Sequence, residues 1–433
     1  MNKKISLGVA LALMLVAMAV TVSATVMISM RYFSSIVNGV TEREVMYDFI
    51  ADVDKAVRDN YAGTVDEEAL RQALAEGYAK GYGDPYAAYY TAEEYADIKQ
   101  ALEGTYTGFG IEVEVSGSEL VVSAVYSDSA AETAGIKKQD VITAVDEEKV
   151  TAANLVAVQR RLENPAKLLL SVTREGAPHS FTVSPTTIEL DNVENVMLSD
   201  GMTGYVRIRH LADNTPDQFR SAMSVLSEAG ATQYVLDLRD NNGGSLDAAL
   251  EILEYLLPRG SFARLNTGDK GMPVVYSSNA ASQLTDRLVV LVKSNTEAEA
   301  ELIAGALKEC AGSSMVGAVT KGHARMQSYF TLESGNAAVR VSVGTLELLE
   351  GGSWEGKGLT PDREVALTGG VHFSLLEESA DDQLQAALVM INGVGTESTT
   401  TTAATTTGTG TDTSGTGASN TTTTATTTGT KAD

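Results

Sequence analysis

Between residues 288 and 327 the chain holds the pattern from which a nucleophilic site could be built. Leu288-Val289-Val290-Leu291-Val292 is an apolar, β-branched run that predicts a buried strand. The polar turn Lys293-Ser294-Asn295 follows, and the stretch from Thr296 to Leu307 predicts a helix. Thr296 with Glu299 three residues on has capping-box spacing and sets the expected helix start. Free N–H groups and the helix dipole at such a start stabilise a developing anion, so this is where a Ser or Cys nucleophile belongs. The first helical turn carries alanine instead, at Ala298 and Ala300. Gly243-Gly244 closes a glycine turn after the strand pattern 234–239. It would set its N–H groups beside Thr296, as an oxyanion hole, if the two strands are neighbours; an ordinary strand–helix loop is the plainer reading. His179, His210 and His372 are scattered, no metal set is expected, and no cofactor is implied.

The elements that must position this stretch alternate. Residues 202–209 predict a strand and 215–228 a helix opened by Thr-Pro. Residues 234–239 predict a buried strand, 246–257 a helix ended by Pro258 and Gly260, and a further strand runs through Val316. The turn 320–322 leads into a strand over 324–332. Such alternation predicts an α/β core with a mixed sheet over residues 189–395. The single cysteine, Cys310, excludes an intrachain disulfide and a cysteine metal cluster, and reads as buried filler.

The 433 residues allow two or three domains, and a formal charge of -25 argues against nucleic acid and against attraction to an anionic lipid surface. Residues 5–30 hold no charged side chain, enough to cross a bilayer, with Lys3 and Lys4 before them. A cleaved signal peptide ending near Val22-Ser23-Ala24 is one reading. The apolar run continues to Met30, so a retained single-pass anchor over 1–31 is the expectation, with the N-terminus cytoplasmic and the bulk of the chain extracytoplasmic. Residues 32–104 predict a polar helical segment, with Met46, Phe49, Ile50, Val53 and Val57 at helical spacing and Tyr89, Tyr90 and Tyr95 adding aromatic bulk, suited to a small bundle or a docking surface. From 396 to 433 the chain is almost only Thr, Gly, Ser and Ala, which predicts a disordered tail.

Residues 105–188 carry short strand patterns, two helical patches, and Gly108-Phe109-Gly110-Ile111 ahead of the first strand. Such a loop can offer N–H groups to a terminal carboxylate while the strand after it accepts an added peptide strand. With Ala130-Ala131-Glu132-Thr133-Ala134-Gly135-Ile136 and Asp140-Val141-Ile142, the segment resembles a PDZ domain.

Together with Gly83-Asp84-Pro85-Tyr86, the run Leu236–Gly244, Glu301–Leu307 and Gly356-Lys357-Gly358-Leu359-Thr360-Pro361-Asp362, the chain resembles the C-terminal processing (tail-specific) serine peptidases. The resemblance implies that family's α/β peptidase core, a serine nucleophile, a lysine base and a nearby glutamine. Aligned through Glu301, the nucleophile position is Ala298; the base position is His323, and the glutamine remains as Gln327. A methyl group cannot attack a carbonyl. Thr296 is spoken for as the expected cap and turned to another face of the helix, so it does not replace the serine. Glu297 and Glu299 suit a helix N-terminus but place negative charge where a peptide oxyanion would form. His323 reads as a satisfied core or rim histidine. With His323, Arg325 and Gln327 on one strand face, Arg325 is expected to fill the cleft and pair with those glutamates.

These residues imply a membrane-anchored pseudopeptidase that binds extracytoplasmic C-terminal tails. The competing expectation is an active tail-specific endopeptidase with a non-standard nucleophile. The resemblance also implies self-association through the helical flanks, residues 41–103 and 381–391, as a homodimer or with an active relative. In the second flank Leu384, Ala387, Leu388 and Ile391 share one helical face.

Overall fold

A computed structural model describes residues 7–393, except 164–165, 281–283, 285, 334, 368–371 and 374–375. The Thr-rich segment 396–433 lies outside the described residues, as does part of the expected anchor.

The core is a six-stranded sheet, ordered Val193–Met197, Thr203–Ile208, Gln233–Asp237, Arg287–Val292, Ser314–Gly317, Arg363–Glu364, and parallel except at its first strand. Side chains alternate faces along a strand, and the sequence uses both. Tyr234, Leu236, Val290 and Val292 enter the core beneath helices Thr215–Glu228, Leu246–Leu256 and Glu299–Ala311. Val235, Val289 and Leu291 point to the opposite face, where helix Asp382–Gly393 lies. That face buries Leu384, Ala387 and Ile391. The amphipathic stripe expected to serve self-association at 381–391 is therefore consumed internally, because a parallel sheet must be covered on both faces.

A second sheet runs Ala88–Tyr90, Ala338–Leu348, Gly260–Asn266, Val274–Ser278, with Arg325–Thr331 also paired to Ala338–Leu348. Its first strand corrects the reading of residues 32–104 as a separate helical bundle. Tyr89 pairs with Val339 across the ladder, and Tyr90 and Tyr95 pack on Tyr329 at centroid distances of 5.9 and 5.8 Å. Those tyrosines pack half-buried on the chain's own second sheet. Ahead of them, one helix runs unbroken from Leu7 to Asn60 and exposes Val45, Phe49, Val53 and Val57. Among the described residues no helix is long and apolar enough to cross a membrane.

The PDZ segment leaves and rejoins the core through a two-stranded ribbon, Thr105–Gly108 against Thr186–Glu189. Between them lies a sheet in the order Ile111–Ser116, Glu119–Val125, Val141–Val145, Leu168–Arg174, Ala177–Val183, with helices Ala130–Ala134 and Leu155–Glu163. Ile111–Ser116 is an edge strand of that sheet.

Candidate active site

The buried strand Arg287–Val292 feeds a turn that the rest of the fold grips. The Thr296 hydroxyl accepts from the Lys293 N–H (2.9 Å) and donates to the Leu238 carbonyl (2.8 Å), tying the turn to the neighbouring strand's end. It is thus a tertiary tie and not a helix cap. The helix begins at Glu299, and the cap position is Ala298. Half of a capping box survives there, with the Glu301 carboxylate accepting from the Ala298 N–H at 3.2 Å. Ala298 has φ 53° and ψ -120°, a combination a non-glycine residue adopts only when its surroundings hold it. The backbone keeps a strained strand-to-helix elbow, with a methyl group at its apex.

Glu301 organises the site and was absent from the sequence-based list of functional residues. Fully buried, it accepts from the N–H groups of Gly322 and His323 (2.8 Å each), the Trp354 indole (3.1 Å) and the Thr320 hydroxyl, besides Ala298. Burial pushes its carboxyl up from the ordinary value, against the pull of these donors. One carboxylate thereby clamps the elbow to the turn that carries His323. Gly322 sits at φ +87°, and a Cβ there would come within 2.7 Å of the Gly358 nitrogen, so only glycine lets this turn pass.

His323 is 7% exposed, and both ring nitrogens are engaged. Nδ1 lies 2.8 Å from Glu297 Oε1, and Nε2 lies 2.7 Å from the Gln327 side-chain nitrogen. That same nitrogen donates to the Arg325 carbonyl (2.6 Å), so the amide is a donor, Nε2 accepts, and the proton resides on Nδ1. The bond to His323 holds the Glu297 carboxyl below its ordinary value. Tyr86 stacks on the imidazole, with centroids 4.0 Å apart and planes 3° apart. It is delivered by Asp84, which accepts from the Ser342 N–H (2.7 Å) and hydroxyl (2.9 Å). Sequence reasoning used the Gly-Asp-Pro-Tyr turn only as a family signature; its aromatic ring beside a conformationally fixed turn was the signal available.

Arg325 departs from expectation. His323 precedes the strand that begins at Arg325, so the period-two argument does not join them. Arg325 pairs with Glu355 at 3.2 Å, leaving Glu297 to His323 and Glu299 to the glycine turn.

Gly243 and Gly244 do lie beside the elbow. A Cβ built on Gly243 would approach the Ala298 methyl to 2.8 Å. Neither N–H is open, however. Gly243 donates to the Asn241 side chain (2.9 Å) and Gly244 to Glu299 Oε2 (3.0 Å). The structure thus brings Ala298, His323, Gln327, Gly243 and Gly244 into one region. The Thr296 hydroxyl is buried and doubly bonded. Of the other histidines, His179 stacks on Phe181 and His372 lies 2.6 Å from Asp240, while His210 stands beside the glycine turn, 3.4 Å from Asn242 and with its ring 3.1 Å from where a Gly244 Cβ would lie. Among the described residues no three His, Cys, Asp or Glu side chains could hold a metal ion. Cys310 is half-buried, and burial pushes its thiol up.

The PDZ loop contrasts with the elbow. The Phe109 carbonyl accepts from the Ala131 N–H (2.9 Å) and the Gly110 carbonyl from the Tyr126 N–H (2.8 Å). In a planar trans peptide the next N–H points opposite to the carbonyl, so those of Gly110 and Ile111 face away from these partners. Phe109 itself is buried in the domain core and anchors the loop, while Gly108 ends the strand before it.

The sequence pattern of Peptidase family S41 matches residues 202–365, and that of the PDZ domain residues 97–173. A carboxyl-terminal-processing protease of Synechocystis sp. is 30% identical over 311 residues, covering 70% of this chain and 72% of that relative. The carboxy-terminal processing protease of Bacillus subtilis is 25% identical over 315 residues, 72% of this chain and 67% of its own length. The fold is shared with the solved structure of a Bacteroides fragilis protein named for the S41 proteases. That likeness has a TM-score of 0.51 at 18% identity and covers 74% of this chain and 90% of the other.

Proposed function

This chain belongs to the S41 C-terminal processing peptidases, with their PDZ domain, and from that premise we propose that it is a pseudopeptidase that holds protein C-termini without cutting them. One observation carries the reading: at the elbow apex, where the nucleophile belongs, Ala298 presents a methyl group. The neighbouring hydroxyl cannot stand in, since Thr296 is buried and spends its proton on the Leu238 carbonyl. The alternative, an active endopeptidase with a non-standard nucleophile, finds no support in this geometry. Tail binding is supported by the N–H groups of Gly110 and Ile111, turned away from the loop's own carbonyl partners beside the edge strand Ile111–Ser116.

The membrane anchor belongs to the same proposal, supported by the uncharged run 5–30 after Lys3 and Lys4, and it places the PDZ domain outside the cytoplasm. Self-association, as a homodimer or with an active relative, is supported by the first helix alone. Its exposed Val45, Phe49, Val53 and Val57 recur every four residues. The test of function is incubation of the purified protein with unstructured proteins bearing apolar C-termini, reading binding and cleavage together. Binding without cleavage is expected. Sustained cleavage that survives repurification overturns the reading.

A further inference from the structure

The side chain of Glu299 has no assigned role, yet it occupies the most chemically pointed position in the fold. The residue is 7% exposed, and its carboxylate accepts from the Gly244 N–H at 3.0 Å. Its own backbone N–H faces the same glycine turn, with the nitrogen 3.2 Å from a Cβ built on Gly243. These two donors flank the Ala298 methyl. One belongs to the residue following the elbow apex, and the other to the glycine turn whose neighbour Gly243 abuts Ala298. In an elbow of this kind, the N–H after the nucleophile together with one from a facing loop forms the oxyanion hole. The nearby Gly243 N–H is closed separately, by Asn241.

We propose that Glu299 is an internal occupant of the oxyanion hole: a carboxylate fixed on the Gly244 N–H, one of the two donors that would otherwise receive the tetrahedral oxyanion. The inference rests on the pseudopeptidase reading and adds a second, independent block to catalysis. A substrate carbonyl cannot reach that donor while a tethered anion holds it, and a second negative charge beside the anion is repelled. Restoring a nucleophile and a base would therefore leave the site silent. The plug also explains how the elbow keeps its strained backbone without a catalytic reason, since the carboxylate ties the apex to the glycine turn.

Two measurements on the full chain test this. First, Ala298→Ser with His323→Lys is compared with the same pair plus Glu299→Ala, reading the rate of covalent labelling by a fluorophosphonate. The triple variant should label about 100-fold faster, the scale on which oxyanion donors act; equal labelling of both overturns the proposal. Second, Glu299→Ala alone vacates the Gly244 donor. Sodium formate, but not sodium chloride at equal ionic strength, should raise that variant's melting temperature by several degrees in a saturable way. The wild-type protein should not respond. A Glu299→Ala protein indifferent to formate overturns the proposal, and this result decides if neither serine variant labels. Glu299→Gln, which keeps an acceptor of the same shape, should behave as wild type towards formate. Cleavage by the wild-type chain would instead overturn the pseudopeptidase reading, so the two failures are distinct.

Discussion

Two loops in this chain present backbone N–H groups beside a peptide-binding element, and they treat them oppositely. At 108–111 the carbonyls of Phe109 and Gly110 are taken by the Ala131 and Tyr126 N–H groups, so the N–H groups that follow point away from those partners. At the elbow, the N–H groups of Ala298, Gly243 and Gly244 all end on side-chain oxygens of Glu301, Asn241 and Glu299. A buried donor must be satisfied by something, and whether that partner is the protein or a ligand separates a structural knot from a binding site. On the proposed reading, the first loop serves as the receptor, while at the elbow the protein's own side chains take the donors.

The comparison breaks most visibly at Glu301. Glu301→Ala would strip one acceptor from three N–H groups, an indole and a hydroxyl at once, and should lower stability by about 3–5 kcal/mol. Urea unfolding measures it, and a loss below about 1 kcal/mol would mean that the knot is not structural.

Next in size is the open loop. Amidating the C-terminus of a tail peptide removes the charge that the N–H groups of Gly110 and Ile111 would hold, and should weaken binding by about 1.5–3 kcal/mol, or roughly 10–150-fold. Titration calorimetry with the free and amidated peptides decides; equal affinities would close the comparison. A bulky residue at Gly110 is a poorer test. With φ +75°, and with Ser129 where a Cβ would go, it would disturb the domain itself.

Acidity sharpens the contrast at the plugged site. Burial first, with its donors opposing, sets the Glu299 and Glu301 carboxyls above their ordinary value, so the native state binds these protons more tightly than the unfolded chain does. Their contribution to stability is complete below the unfolded value, about 4.5, and declines as pH rises through the folded values. Glu297 runs the other way: its depressed value adds stability above 4.5 that is lost on acidification. Glu299→Gln should therefore gain on the wild type as pH rises from 4 to 8. Melting curves across that range check the sign, and a wild type that gains on Glu299→Gln as pH rises contradicts it.

The smallest effect belongs to the stacked ring. Tyr86→Leu removes an aromatic face from His323, and should cost about 0.5–1.5 kcal/mol by urea unfolding. Tail affinity, read in parallel, should not change, because Tyr86 lies at the elbow and not on the PDZ loop.

Much of the fold was legible because it depends on local pattern. The helix Thr215–Glu228 begins and ends where its Thr-Pro start and apolar spacing place it. The fully apolar run at 288–292 is a central strand with both faces covered. Elsewhere local pattern misled. Thr296 and Glu299 have the spacing of a capping box, but a stronger competitor was available to the hydroxyl in the Leu238 carbonyl, 58 residues away. Residues 381–391 have the stripe of a docking helix, but the chain's own sheet needed a cover.

The sequence by itself determined that no serine, cysteine or free hydroxyl stands at the elbow apex, because that is a matter of covalent identity at Ala298. It also determined the modules, because periodicity and turn residues act over a few neighbours. Only the tertiary structure decided where the buried carboxylates went: Glu301 to Trp354, 53 residues on, and Glu299 to Gly244, 55 residues back. The reason is that an acidic residue announces a charge in the sequence but not its partner. The partner is chosen when packing removes water and each buried donor and acceptor must find another within about 3 Å.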